Sequence, residues 1–258
     1  MSAISTVHGI VARDVQRALR QKSRMLGGLA RPFIWLLLIG GGYGAITRID
    51  ADSYRAFVFP GVVSMAVLFG GMLTAVATVY DREFGMLRLM LTSPAGIGVI
   101  LTGRTLSAAL VGALQGRVVL ASGPLLLDAT PGRYVAALGA LSLGAISSGG
   151  LGLLVASRLR SVENFAGVIN VVLFPLFFLS GALYPILGVP PTLRAVARVN
   201  PVSYQVDLMR HALGQSPEFG LVVDVVVLIG SSVLALALAA AWFDPERRFL
   251  VPGGRASL

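Results

Sequence analysis

The sequence predicts an all-α, polytopic membrane protein with six transmembrane helices, an amphipathic surface helix at its N-terminus and a re-entrant outer segment after the fifth span. Hydrophobic residues make up 55% of the 258 residues and charged residues only 13%, about half the share that is usual in a soluble domain. The mean hydropathy is +0.81. The charged residues also divide the chain into apolar runs whose lengths are near the roughly 20 residues of a spanning helix.

Six apolar runs give the six predicted spans. They are 32–47, 56–80, 105–127, 134–157, 164–193 and 225–243. The first run is short, and Arg31 at its edge is expected to snorkel to the membrane surface. The fifth run is too long for one simple helix. We treat 1–258 as a single transmembrane domain with a polar cytoplasmic tail at 244–258.

The distribution of basic residues predicts the orientation of the chain. An even number of spans puts both termini on one side, and most of the 21 Lys and Arg residues then fall on that side, which the positive-inside rule assigns to the cytoplasm. The net charge of +9 is therefore a topology signal and indicates no nucleic-acid partner. We expect a multi-pass protein of the plasma (inner) membrane with both termini in the cytoplasm.

Several chemistries are disfavoured by composition. The chain has no cysteine and two histidines, His8 and His211, far apart in sequence, so we predict no metal site and no catalytic residue. Lys22 is the only lysine and does not follow a glycine-rich loop, so a phosphate-binding P-loop is absent. No carboxylate lies deep in a predicted span, which disfavours an ion-coupled carrier.

Residues 1–30 predict a helix that lies on the inner membrane surface. Its basic stripe consists of Arg13, Arg17, Arg20 and Arg24, and its apolar stripe of Ile4, Val7, Val11, Val15 and Ala18. This pattern suits an anchor in anionic lipid, or a docking surface for a cytoplasmic partner. It does not have the form of a signal peptide.

A second surface helix is predicted at 81–96, directly after the second span. Asp81 and Glu83 near its start suit the positive end of a helix dipole. Phe84 and Leu87 share one apolar face, and Asp81, Arg82 and Arg88 mark the wet face. Pro94 disfavours helical geometry at the residue before it. A solvated loop explains the charges equally well, but an apolar knob flanked by charges suits insertion into a groove on a partner.

The fifth run predicts a broken helix. Pro175 and Pro185 interrupt backbone hydrogen bonding, which is tolerated where the chain is buried in protein or lines a cavity. We predict a helix to about Ser180 and then a re-entrant turn on the outer side, with one long kinked helix as the alternative. The outer region is placed at 181–218.

A short outer helix is predicted after Asn200-Pro201, which is a turn signal. Tyr204, Asp207 and Arg210 follow at spacings of three, so Asp207 and Arg210 can pair on one helix face. We interpret this helix as a structural cap over the outer mouth.

Arg117 is the one charge that the apolar runs place well inside a span. It is a possible substrate or gate contact, or else the third helix is shifted or the side chain snorkels. Small residues at Gly112, Gly116 and 145–152 predict close helix packing.

In their order along the chain, these features resemble the type-2 ABC exporter permeases, in particular the drug-resistance and nodulation-factor export branch. The resemblance covers about residues 1–245. The motifs that carry it are YDREFGMLRLMLTSP, PLFFLSGALYPI and NPVSYQVDLMRHAL. The charge at Arg117 departs from the family pattern.

The resemblance implies a dimer of permeases, with a second copy that is identical or homologous, and two copies of a separate ATP-binding subunit that hold ATP and Mg. This chain itself would hold no cofactor. The helix after the second span would be the coupling helix, with its contacts at Asp81, Arg82, Glu83, Phe84, Gly85, Leu87, Arg88, Ser93 and Pro94. The outer gate would comprise Phe177, Phe178, Ser180, Gly181, Tyr184 and Pro185, below a cap formed by Asn200, Pro201, Tyr204, Asp207 and Arg210.

The implied function is the permease subunit of an ATP-driven exporter, which lies in membrane lipid and moves an amphipathic small molecule, a drug or a lipid-like substrate out of the cell. The alternative within this class is export of a polysaccharide or lipid-linked glycan, and the alternative outside it is an ion-coupled carrier. An aromatic content of 8% favours a small hydrophobic cargo, because glycan channels favour rings of aromatic residues.

Overall fold

The computed structural model describes residues 3–47, 51–86, 96–159 and 161–248, and all regular structure in these ranges is helical. In chain order the helices are α1 (Ala3–Arg20), α2 (Lys22–Thr47), α3 (Ala51–Glu83), α4 (Ile97–Leu120), α5 (Pro131–Arg158), α6 (Val162–Val168), α7 (Phe174–Phe178), α8 (Pro191–Val199), α9 (Pro201–Leu213) and α10 (Leu221–Arg248). A π-helical turn, Ile169–Leu173, joins α6 to α7.

Four helices are long and apolar enough to cross a membrane. Within the described ranges they are Ser53–Glu83, Ile97–Leu125, Pro131–Arg158 and Leu221–Phe243. These four coincide with the second, third, fourth and sixth predicted spans, which confirms the all-helical membrane class. The count of six stays a prediction, because α2 and the broken stretch from α6 to α7 are not among the four.

The N-terminal surface helix is shorter than the predicted range 1–30. α1 ends at Arg20, the helix is interrupted at Gln21, and α2 begins at Lys22. α2 continues through Pro32, the residue at which the first apolar run begins. A charged residue ends an apolar run but not a helix, so the helix extends ten residues further toward the N-terminus than the run.

The long helix α3 is the centre of the bundle. It packs against α2, α4 and α5, and 94% of its most apolar stretch is buried. We call its two ends the Asp81 end and the Gly181 end, after the residues that lie there. α4 begins at the Asp81 end, α5 returns to it, and α10 packs along α5.

Glycines allow the backbones of α3, α4 and α5 to touch. A Cβ atom added at Gly112 would lie 2.6 Å from the Val67 carbonyl oxygen, and one added at Gly149 would lie 2.8 Å from that of Thr105. Both distances are shorter than a carbon–oxygen contact allows, so no larger residue fits without moving a helix. The predicted close packing at these small residues is confirmed.

The fifth apolar run is a broken helix. Pro175 lies in the first turn of α7, where its missing N–H costs least, and the π-helical turn precedes it. Helical structure ends at Phe178, two residues before the predicted Ser180, and the chain turns at Gly181, whose φ is +76°. One long kinked helix is therefore excluded, while the depth of the turn in the membrane stays a prediction.

The last helix extends past the predicted end of the sixth span. α10 runs to Arg248, so the tail predicted at 244–258 begins as helix. Residues 249–258 lie outside the described residues.

Candidate functional site

The segment after the second span does not begin a new helix at Asp81. The residues 81–83 form the last turn of α3, and the Phe84 N–H donates to the Tyr80 carbonyl at 2.9 Å. Gly85 then takes a left-handed conformation with φ of +75°, which ends the helix. Four of the predicted contacts lie outside the described residues: Leu87, Arg88, Ser93 and Pro94.

Asp81 is buried, with 6% exposure, although the sequence predicts it on the wet face. Arg104 of α4 binds it and also donates to Asp14 of α1 at 3.1 Å. Arg17 of α1 contacts the Asp81 carboxylate at 3.3 Å, and Arg13 contacts it at 3.4 Å. We call these five side chains the Asp81 cluster. It ties the surface helix to the ends of α3 and α4, with the buried carboxylates paired as burial requires.

Arg82 and Glu83 bind two further elements. Arg82 donates to the carbonyls of Ser157 at 2.7 Å and Leu159 at 3.2 Å, at the C-terminus of α5. Glu83 accepts the backbone N–H of Val162 at 3.1 Å, at the start of α6. A cation at a helix C-terminus and an anion at an N-terminus are both favourable. These charges serve contacts within the chain.

Phe84 is the exposed apolar residue at this end. It is 71% exposed, and Met86 beside it is 46% exposed. The Phe84 ring stacks on Tyr80 at 6.1 Å between centroids, so it is held in place while its outer face stays open. An oriented aromatic side chain next to a rigid charged cluster is suited to bind a partner.

The Gly181 turn is fixed by three helices. The Tyr54 hydroxyl of α3 donates to the Leu183 carbonyl at 2.9 Å, and Arg210 of α9 donates to the Gly181 carbonyl at 2.7 Å. Ser180, two residues past the end of α7, donates to the Phe177 carbonyl at 2.6 Å. The turn is thus an ordered part of the bundle.

The predicted gate residues differ in exposure. Phe177, Ser180 and Gly181 are buried. Phe178 and Tyr184 are half-buried, and Pro185 is exposed. Phe177 is therefore a core residue, and among the aromatic gate residues only Phe178 and Tyr184 offer a face to a cargo.

Arg31 lies at mid-span depth in the bundle, a position that the sequence predicts for Arg117. The Arg31 guanidinium carbon lies 4.6 Å from the ring centroid of Phe69 and 5.9 Å from that of Phe174. Phe69 is close to the midpoint of the span Ser53–Glu83, so Arg31 does not snorkel to the edge. Arg117 lies in the last turn of α4 and is exposed, so the shifted-helix interpretation fits it.

The Asn200-Pro201 turn is confirmed. Asn200 is the N-cap of α9: its side-chain oxygen accepts the Val202 N–H at 3.0 Å, and its amide donates to the Leu176 carbonyl at 2.6 Å. This bond fastens α9 to α7. The hydroxyl of Tyr204 donates to the Arg198 carbonyl at 2.6 Å.

Arg210 pairs with Glu218, not with the predicted Asp207. The Arg210–Glu218 distance is 3.1 Å, while Asp207 accepts the backbone N–H groups of Glu218 at 2.7 Å and Phe219 at 2.9 Å. Burial raises the pKa of Asp207 above its ordinary value, against the effect of these two N–H groups. Burial likewise lowers the pKa of Arg210, against the effect of Glu218.

Taken together, the fold is a helical membrane bundle with an exposed aromatic contact at one end and an ordered turn at the other, an architecture that suits a membrane transport protein. The model of the ABC-2 type transporter family matches residues 7–213. The chain belongs to that family. Membership implies an ABC transporter in which an ATP-binding partner acts with this chain.

Named relatives agree with this assignment. "Putative transport permease ycf38" of Pyropia yezoensis is 27% identical over 81% of this chain and 74% of its own length. "Nodulation protein J" of Rhizobium leguminosarum bv. trifolii is 28% identical over 83% of this chain and 81% of its own. The protein of the same name from Rhizobium meliloti (strain 1021) is 27% identical over 88% and 87%.

Proposed function

We propose that this chain is the membrane-spanning subunit of an ATP-driven exporter in the plasma membrane, with both termini in the cytoplasm. The observation that carries the proposal is Phe84, exposed and oriented directly after the Asp81 cluster. In this proposal two ATP-binding subunits hold ATP and Mg, each contacts one Phe84 segment, and a second permease, identical or homologous, completes the pathway.

The contacts around Asp81 support a mechanical role for this segment. A displacement at Phe84 reaches α3 through one helical turn, α1 and α4 through Arg104, α5 through Arg82 and α6 through Glu83. When ATP brings the two partner subunits together, both Phe84 segments move inward and the bundle opens outward. The chain performs no bond chemistry in this mechanism.

Phe84→Ala is expected to lower the affinity of the chain for the ATP-binding subunit at least about tenfold, because truncation of a central aromatic anchor commonly costs 2 kcal/mol or more of binding free energy. The measurement is the amount of ATP-binding subunit that co-purifies with the full chain from mild detergent. Glu83→Ala is a weaker test, since Glu83 also caps α6.

Leu187→Ala is the matched control, because Leu187 is an exposed apolar residue (60% exposed) near the Gly181 turn. It should leave the recovery of the ATP-binding subunit unchanged. Full recovery with Phe84→Ala would refute the coupling role, and a wild-type chain that co-purifies with no ATP-binding subunit would refute the exporter itself.

For the cargo, we propose an amphipathic small molecule, a drug or a lipid-like substrate. Arg31 lies between aromatic rings in the middle of the bundle, and Trp35 lies 5.4 Å from the ring of Phe178, which gives an apolar region with one cation. The same aromatic grouping supports the alternative, a polysaccharide or lipid-linked glycan, since sugars also stack on aromatic rings.

Phe178→Ala and Tyr184→Ala should each lower export of a hydrophobic fluorescent dye from cells about two- to tenfold, because one aromatic contact is worth about 0.5–1.5 kcal/mol beyond its buried area. Phe177→Ala is the stability control, since Phe177 is a core residue. If glycan export falls in these variants while dye export persists, the glycan alternative replaces the small-molecule cargo.

A further inference from the structure

Three side chains that the exporter mechanism does not use converge near the Gly181 end. Asp207 and His211 lie one turn apart on α9, and Asp224 lies in the first turn of α10. His211 Nε2 is 3.8 Å from Asp207 Oδ2 and 3.5 Å from Asp224 Oδ2. One nitrogen or oxygen atom from each residue lies within 4.8 Å of the other two. Both carboxylates are buried, Asp224 completely.

Asp224 lacks hydrogen-bond donors. Neither of its oxygens accepts a hydrogen bond, and both atoms are buried. The two oxygens of Asp207, in contrast, each accept a backbone N–H. A buried ionised carboxylate without donors is strongly unfavourable unless a cation binds it or a proton neutralises it. A bound cation, a protonated His211 at 3.5 Å or a proton on the carboxylate itself would each meet this requirement.

The charged residues around Asp224 indicate how much positive charge would neutralise the group. Asp207, Glu218 and Asp224 bring three negative charges, and Arg210 brings one positive charge, so the group carries −2 when His211 is neutral. Arg210 is already engaged by Glu218 and the Gly181 carbonyl. A divalent cation would neutralise the group, as would two protons, one on His211 and one on a carboxylate; the spacing of the ligand atoms favours the cation.

The spacing of the three groups fits a small transition-metal ion. Zn²⁺ binds nitrogen and oxygen ligands at about 2.0–2.2 Å, which places tetrahedral ligands about 3.4 Å apart. The two distances from His211 Nε2, 3.5 Å and 3.8 Å, are near that value. The Phe219 carbonyl lies 3.1 Å from the same nitrogen and would be the fourth ligand, in place of its present hydrogen bond with His211. His211 ligates through Nε2 when its proton is on Nδ1.

We propose that Asp207, His211 and Asp224 form a binding site for one divalent transition-metal ion of the Zn²⁺ class, which locks α9 to α10 at the Gly181 end. An imidazole beside two carboxylates suits such an ion, whereas Mg²⁺ and Ca²⁺ prefer ligand sets made of oxygen alone. The site is separate from the Phe84 contact and does not depend on the export proposal.

The test is titration of ZnCl₂ into the purified full chain, freed of metal by a chelator, with calorimetry and thermal unfolding as readouts. We expect one saturable Zn²⁺ per chain and a rise in the unfolding temperature. Asp224→Asn should weaken the affinity at least tenfold, because one of three protein ligands is replaced. Mg²⁺ at the same concentration should not compete.

The composition of the chain leaves few other side chains that could bind Zn²⁺ tightly, which allows specific controls. It has no cysteine and only one other histidine, His8, which is exposed on α1, so His8→Gln should leave Zn²⁺ binding unchanged. His211→Gln gives a second test if Asp224→Asn does not fold. Absence of saturable Zn²⁺ binding in the wild-type chain would overturn the proposal, as would unchanged affinity in a folded Asp224→Asn or His211→Gln variant.

Discussion

Arg104→Met is expected to destabilise the chain by about 3 kcal/mol, because the buried Asp14 and Asp81 carboxylates then keep only the more exposed Arg13 and Arg17 as partners. Asp14 and Asp81 would both lose the guanidinium that joins them. α1 should then detach from the ends of α3 and α4. The measurement is thermal unfolding of the purified full chain, together with the rate of tryptic cleavage after Arg13 and Arg17.

Arg117→Met on the same helix is the matched control for that prediction. Arg117 is exposed, so the change should alter stability by no more than about 0.5 kcal/mol. Adding Asp81→Asn to Arg104→Met should recover part of the lost stability, since one of the two carboxylates that lost Arg104 as a partner becomes neutral. Equal unfolding curves for Arg104→Met and Arg117→Met would show that the Asp81 cluster does not hold α1.

Arg210→Met should cost about 3–5 kcal/mol for the same reason. The change removes the cation beside the Glu218 carboxylate, which keeps only the N–H groups of Ile186 and Leu187, and it removes the donor to the Gly181 carbonyl. The Gly181 turn would lose its bond to α9. Chemical denaturation of the purified full chain measures the loss, and limited proteolysis at the Gly181 turn shows whether the turn itself opens.

Arg198→Met provides the comparison, because Arg198 is an exposed arginine on the neighbouring helix α8. A double-mutant cycle with Glu218→Gln isolates the pair: the loss in the double variant should be smaller than the sum of the two single losses. Additive losses would mean that Arg210 stabilises the turn through the Gly181 carbonyl and the Phe57 ring, independently of Glu218.

Features encoded by neighbouring residues could be predicted from the sequence. Four spans follow from apolar length alone, and the start of α9 follows from Asn200-Pro201, where a side-chain cap and a fixed φ act within three residues. The interruption near Ser180 follows from Pro175 and Gly181 in the same way. Each of these features depends on residues that are close together in the sequence, so packing in the bundle does not alter the local structure that they specify.

The partners of the charged residues could not be predicted. The sequence pattern places Asp81 on the wet face because nothing in it points to Arg104, which the fold brings to Asp81 from the N-terminal half of α4. Asp14 lies among the arginines of the basic stripe, and nothing in the sequence marks it as a partner of Arg104. Glu218 does not lie at a helical spacing from Arg210, so their pairing has no sequence signal either. Arg31 stands at the edge of an apolar run, yet α2 places it against Phe69 in mid-bundle.

The proposed metal site has no signal in the sequence. The chain has only two histidines, His8 and His211, and they lie far apart. A site with one histidine needs carboxylates from two helices, and the first turn of α10 brings Asp224 to α9 only through the loop 214–220. Such a combination is visible only in three dimensions.

The unbroken length of α3 has a consequence for how motion crosses the membrane. Its 33 residues span about 50 Å, whereas the hydrocarbon layer is about 30 Å thick, so the helix acts as a lever arm that projects beyond the layer. A rotation of about 5° about its midpoint displaces each end by about 2 Å, from the length per residue. That displacement is enough to break the bond between Tyr54 and Leu183, which is 2.9 Å long. A tilt of a few degrees imposed at one face of the membrane would therefore break this hydrogen bond at the other face.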